Sequence, residues 1–107
     1  MLRKFHRPIK KVVVKIGSSL IAAHQGGRHK KELSRLVDQI YALKKKGIDV
    51  VLVSSGAIAL GMSETKLKKR PVDLALLQTL AAIGQNILMR LYSDLFKKRK
   101  IICAQVL

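Results

Sequence analysis

Two short segments constrain this chain more than anything else in it. They are Val12-Val13-Val14-Lys15-Ile16-Gly17-Ser18-Ser19 and Val50-Val51-Leu52-Val53-Ser54-Ser55-Gly56-Ala57. Each is an apolar, β-branched run that stops abruptly in small residues. Runs of this kind read as strands of a parallel sheet, buried on both faces. In such sheets ligands sit outside the carboxyl ends of the strands, where the small residues fall.

The segment between the two runs supports that reading. Leu33, Leu36, Val37, Ile40 and Leu43 recur at helical spacing, so 30–46 reads as an amphipathic helix. Lys44, Lys45 and Lys46 fall in its last turn, where cations suit the helix dipole, and Gly47 follows as a C-terminal cap. Strands are placed at 9–16 and 48–53. Strand, helix, strand is the parallel crossover unit, right-handed by the usual rule. Leu20 and Ile21 follow the first turn and lead into a polar loop over 22–28, with Gly26-Gly27 as its flexible point. A short helix is expected over 57–62 and a basic loop over 63–70. A long helix follows over 71–97, with Pro71 at its first position, Asp73 in its first turn, and Leu74, Leu77, Leu80, Ala81, Ile87, Leu88, Leu91 and Leu95 as apolar positions. Gly84 in its middle points to close packing of another helix. A third strand is expected over 100–107. Its exposed edge would invite pairing.

At 107 residues the chain suits one domain at most, and less than a complete α/β sheet with helices on both faces. Charge is the other outlier. Twenty-two Lys and Arg face six Asp and Glu, a net charge of +16. Such a surface favours polyanions, yet solvated helix ends and turns are the simpler and preferred explanation. Single-strand nucleic-acid binding interleaves cations with aromatics. Two Phe, two Tyr and no Trp argue against it. Cys103 is the single cysteine, so an internal disulfide is excluded, and its apolar surroundings suit a buried thiol in a reducing compartment. His6, His24 and His29 have no companions at metal-ligand spacing. No run has the length of a membrane span, and the basic start lacks the apolar stretch of a secretory signal.

Lys15 is the leading candidate for chemistry. At a strand end its ammonium lies beside the ligand crevice, as a point charge for phosphoryl oxygens. Gly17 lets a phosphate approach the backbone, and Ser18 and Ser19 add donors. A lysine merely reaching solvent fits the same spacing. Ser54-Ser55-Gly56-Ala57 opens a helix and suits an anion; a tight turn fits it equally. Neither segment has the Gly-x-x-x-x-Gly-Lys or Gly-x-Gly-x-x-Gly form.

The block around Lys15, the block 51–62 and Leu80-Ala81-Ala82-Ile83-Gly84-Gln85 together resemble the N-terminal part of the glutamate 5-kinase family, within the amino-acid kinase superfamily. The Lys-x-Gly start is shared across the superfamily; the Ser-Ser-Gly-Ala-Ile and Ala-Ala-Ile-Gly-Gln blocks are more specific. The resemblance implies an α/β fold of the three-layer sandwich type with a parallel sheet, here incomplete. It divides the chain into a basic tail, 1–8, and the N-terminal part of the kinase domain, 9–107. It implies transfer of the ATP γ-phosphoryl group, with Mg²⁺, to the side-chain carboxylate of L-glutamate, in the cytoplasm and in a homo-oligomer. Lys15 would then be catalytic and contact ATP together with Gly17 and Ser18. Ser55, Gly56 and Ala57 would bind glutamate. The family's later part, with an acid and an amide for glutamate, a second lysine and the adenine pocket, has no counterpart in this sequence. A portion that does not turn over alone is therefore expected. The alternatives are a non-catalytic nucleotide-binding fragment, a kinase of another amino acid, and a nucleic-acid binder driven by charge.

Overall fold

The computed structural model of the chain describes residues 4–22 and 27–106; His24 and Gly26 lie outside them. The order is β1 (Lys11–Ile16), α1 (Ser18–Ala22), α2 (Gly27–Lys45), β2 (Asp49–Ser54), α3 (Ala57–Glu64) and α4 (Leu74–Lys97). β1 and β2 pair in parallel, in register from Lys11 opposite Asp49 to Ile16 opposite Ser54. The crossover unit read from the sequence is therefore present. The expected turn at Ser18-Ser19 is instead the start of a short helix, and Gly27 already belongs to α2.

Helix ends follow from local chemistry. Gly47 has φ 78°, and the Gly47 and Ile48 amides donate to the carbonyls of Lys44 and Leu43. This is the Schellman cap, with glycine at the left-handed position. α3 and α4 close the same way, but with Lys66 and Lys100 at φ 57°. At the start of α4 the Asp73 carboxylate accepts from the Leu76 amide, a cap of about 1 kcal/mol. Pro71 therefore lies before the helix rather than at its first position.

The core sits on one face of the sheet. Leu33, Val37 and Ile40 of α2 and Leu88, Tyr92 and Phe96 of α4 join Ile16, Ile21 and Leu60 in one buried cluster. Val50 and Leu52 pack against it. Full burial of each large apolar side chain contributes about 1.5–3 kcal/mol. The opposite face is open: Val13, Val51 and Val53 are 64%, 46% and 46% exposed. Burial on both faces, expected from the unbroken apolar runs, is thus corrected to burial on one. Alternation along each strand still decides which side chains go inward.

α3 and α4 make the closest helix pair. Gly61 lies against the Leu80 carbonyl and Gly84 against the Ala57 carbonyl, so both glycines mark backbone-to-backbone contact. The buried stripe of α4 is Leu80, Gly84, Leu88, Tyr92 and Phe96, spaced four apart. Leu74, expected among the apolar positions, is exposed at the helix start. α4 is also long and apolar enough to cross a membrane by length and composition, contrary to the sequence expectation. Its buried stripe packs on α3, and 17% of the apolar window is buried.

The third strand does not form among the described residues. The segment 101–106 has no ladder, and Ile102 and Val106 are 96% and 95% exposed. The left-handed turn at Lys100 directs the Ile101 amide back to the Phe96 carbonyl. An apolar groove of about 610 Å³ runs between this segment and the β2 edge. A parallel strand is stabilised by cover on both faces, and here one face of the sheet is bare. Cys103, expected to be buried, is half-exposed.

Candidate functional site

Parallel pairing places the ends of β1 and β2 side by side. The Ser55 amide donates to the Ile16 carbonyl over 3.2 Å, and the Ser55 hydroxyl donates to the same oxygen over 3.3 Å. The turn that carries Gly17 and Ser18 therefore adjoins the turn that carries Gly56 and Ala57. Lys15, opposite Val53, stands one residue before the first turn and is exposed. Gly17 and Ser18 are exposed as well. All six candidate residues thus fall at one end of the sheet.

The second turn is locked. Gly56 has φ 110° and ψ 0°, a conformation that disfavours any side chain, and a Cβ there would lie 2.8 Å from the Ile21 side chain. Gly56 precedes α3 and offers no side-chain cap. The first amides of α3 have no acceptor within the helix, and the dipole adds partial positive charge there. This is the geometry that receives a carboxylate or phosphate. The Ser55 hydroxyl is directed at the Ile16 carbonyl and serves the corner.

A shallow cavity of about 320 Å³ flanks Lys15, lined also by Gly17, Glu32, Arg35 and Gln39. It is smaller than the groove along β2, which the unpaired segment 101–106 borders. The turns, not that groove, bring together cations, small residues and free amides. Among the described residues no group of three or more His, Cys, Asp or Glu forms a metal cage. A Mg²⁺ ion, which keeps several waters and is usually bound through phosphates, would arrive on a nucleotide.

Tyr92 was not visible as a site residue in the sequence. Its hydroxyl lies 2.6 Å from the Ser54 hydroxyl, directly behind the second turn. The only signal available was its place four residues after Leu88 and four before Phe96. Burial pushes the phenol above its ordinary value of 10.0. The stability that this neutral phenol contributes is full below the unfolded value and is lost as pH rises through the folded one. Urea unfolding at about pH 11 should show a loss relative to about pH 9 that Tyr92→Phe reduces. An equal loss in both proteins would contradict the assignment.

The remaining charge is peripheral. Arg99 pairs with Asp38, and Lys45 and Arg99 both lie over the Tyr41 ring, 4.9 and 5.9 Å from its centroid. An exposed pair of this kind contributes about 0–1 kcal/mol. Tyr41 is thus covered by cations, and Tyr92 and Phe96 are buried in the core.

The model of the amino acid kinase family matches residues 10–107. The chain belongs to the amino acid kinase family. Its similarity to particular members is substantial. It is 46% identical over 98 residues to the glutamate 5-kinase of Nitrosospira multiformis, covering 92% of this chain and 26% of that protein. To the glutamate 5-kinase of Nitrosomonas eutropha it is 42% identical over 107 residues, which is all of this chain and 29% of that protein. To that of Bacillus cereus it is 43% identical over 97 residues, 91% of this chain and 26% of the relative. The chain spans under a third of the length of these curated relatives.

Proposed function

We propose that this chain supplies the phosphate and amino-acid turns of a kinase that transfers the ATP γ-phosphoryl group to the side-chain carboxylate of L-glutamate. One observation carries the reading: the Ser55 amide bonds to the Ile16 carbonyl and so holds the two turns together at one sheet end. Phosphoryl transfer requires donor and acceptor side by side, with charge neutralised between them.

In this reading Lys15 is catalytic and lies against the transferring phosphoryl oxygens, with Gly17 and Ser18 as backbone and hydroxyl donors to ATP. Ser55, Gly56 and Ala57 receive glutamate, its anionic group at the start of α3. Mg²⁺, carried by the nucleotide, neutralises phosphate charge. Residues 9–107 are the N-terminal part of a three-layer kinase domain, whose remaining layer covers Val13, Val51 and Val53; residues 1–8 are a basic tail. The whole protein acts in the cytoplasm as a homo-oligomer, with ATP and glutamate rather than nucleic acid or membrane as partners.

A chimera tests this. Residues 9–107 replace the matching part of the Nitrosospira multiformis glutamate 5-kinase, and acyl phosphate is trapped as hydroxamate. The expected product depends on glutamate and is not formed with aspartate or N-acetylglutamate. A folded chimera with no glutamate-dependent product would overturn the assignment.

A further inference from the structure

We infer that Tyr92 is a positioning residue: from α4, its hydroxyl holds the Ser54-Ser55-Gly56 corner in its ligand-receiving shape. The ligand half of this inference rests on the reading of that corner as the glutamate site.

The hydrogen-bond directions follow from proton counting. The Ser54 hydroxyl has one proton, and it donates to the Ser55 carbonyl over 3.0 Å. In the 2.6 Å contact with Tyr92, Ser54 is therefore the acceptor and the phenol the donor. Ser55 in turn donates its amide and its hydroxyl to Ile16. A continuous relay runs from Tyr92 through Ser54 and Ser55 to the last residue of β1. It ends next to Gly17, so one side chain on α4 braces both turns.

The donor is fixed in place. The Tyr92 ring is buried and stacks with Phe96 at 6.4 Å between centroids. The backbone contact of Gly84 with Ala57 sets how close α4 comes to the corner. A phenol held by packing loses little further entropy on bonding. From the other side, Ile21 abuts Gly56. The corner is thus clamped between an apolar stop and a directional donor. Because burial raises the phenol's pKa, Tyr92 remains a donor at neutral pH. Phenylalanine would preserve the packing and remove only the donor.

The test uses two readouts: hydrogen exchange at the Ser55 amide of the 107-residue chain, and affinity of the chimera for L-glutamate. Tyr92→Phe is expected to speed Ser55 exchange and to weaken glutamate binding, each about tenfold, the worth of one hydrogen bond. Exchange at Val37 and Ile40 in α2 should not change. Ser54→Ala should match Tyr92→Phe, and the double variant should lose no more than either single one. Tyr41→Phe, remote from both turns, should behave as the unmodified chain. Unchanged Ser55 exchange in Tyr92→Phe overturns the inference, as do equal acceleration in α2 or additive losses in the double variant. If the unmodified chimera binds no glutamate, the substrate reading and its ligand half fail together. Ser55 exchange then decides the bracing of the corner alone.

Discussion

Replacing Gly84 by alanine is expected to cost about 3 kcal/mol or more and to separate α4 from α3. An added Cβ would lie 1.5 Å from the Ala57 carbonyl oxygen and 2.8 Å from the Gly61 nitrogen. Both neighbours are backbone, so neither can turn aside as a side chain can. Relief requires α4 to move, and the Leu88, Tyr92 and Phe96 contacts move with it. The corner behind Ser54 would lose its brace as a secondary effect. Gly17→Ala is the matched control for stability, because a Cβ there meets nothing within 4 Å. Urea unfolding of the two variants beside the parent chain makes the comparison. A Gly84→Ala loss below about 1 kcal/mol would mean that the helices can slide apart without disturbing the core.

Lys15→Ala is expected to lower glutamate-dependent phosphoryl transfer in the chimera by about 10²–10³-fold, the range for deleting one preorganised electrostatic group. The fold should survive, since Lys15 is exposed and contributes nothing to the buried cluster. Lys15→Arg should restore little. A guanidinium is a broad planar fork, whereas the turn after β1 offers a point charge beside a glycine. Unaltered thermal stability with lost transfer would place Lys15 in the chemistry. Retained transfer would return it to the simpler role of a strand-end lysine in solvent.

Much of this architecture was legible because its causes are local. The apolar runs ending at Ile16 and Ser54 mark two parallel strands, the stripe from Leu33 to Leu43 marks α2, and Gly47 marks its end. Gly84 was readable as close packing because glycine is costly in a helix without a reason. The candidate residues fell where parallel strands end, and the ladder from Ile16 to Ser55 places their two turns together. What was not legible depends on tertiary surroundings. Residues 100–107 have the composition of a strand, yet strand formation needs covered faces and a free edge in register. The turn at Lys100 and the bare side of the sheet supply neither. Pro71 is a good first helical residue, but Asp73 competes as a side-chain cap and sets the start. Tyr92 is one more large residue on an apolar stripe until Ser54 is seen opposite its hydroxyl, which no periodicity encodes.

Ligands are expected to bind at the two turns and not by general attraction to a basic surface. Backbone amide NMR of the 107-residue chain, titrated separately with Mg-ATP and L-glutamate, tests it most directly. Mg-ATP is expected to shift Gly17 and Ser18 and glutamate to shift Ser55, Gly56 and Ala57, with Lys15→Ala abolishing the first set and sparing the second. Shifts confined to 44–46 and 97–100, with both turns silent, would contradict it and assign the binding to charge alone.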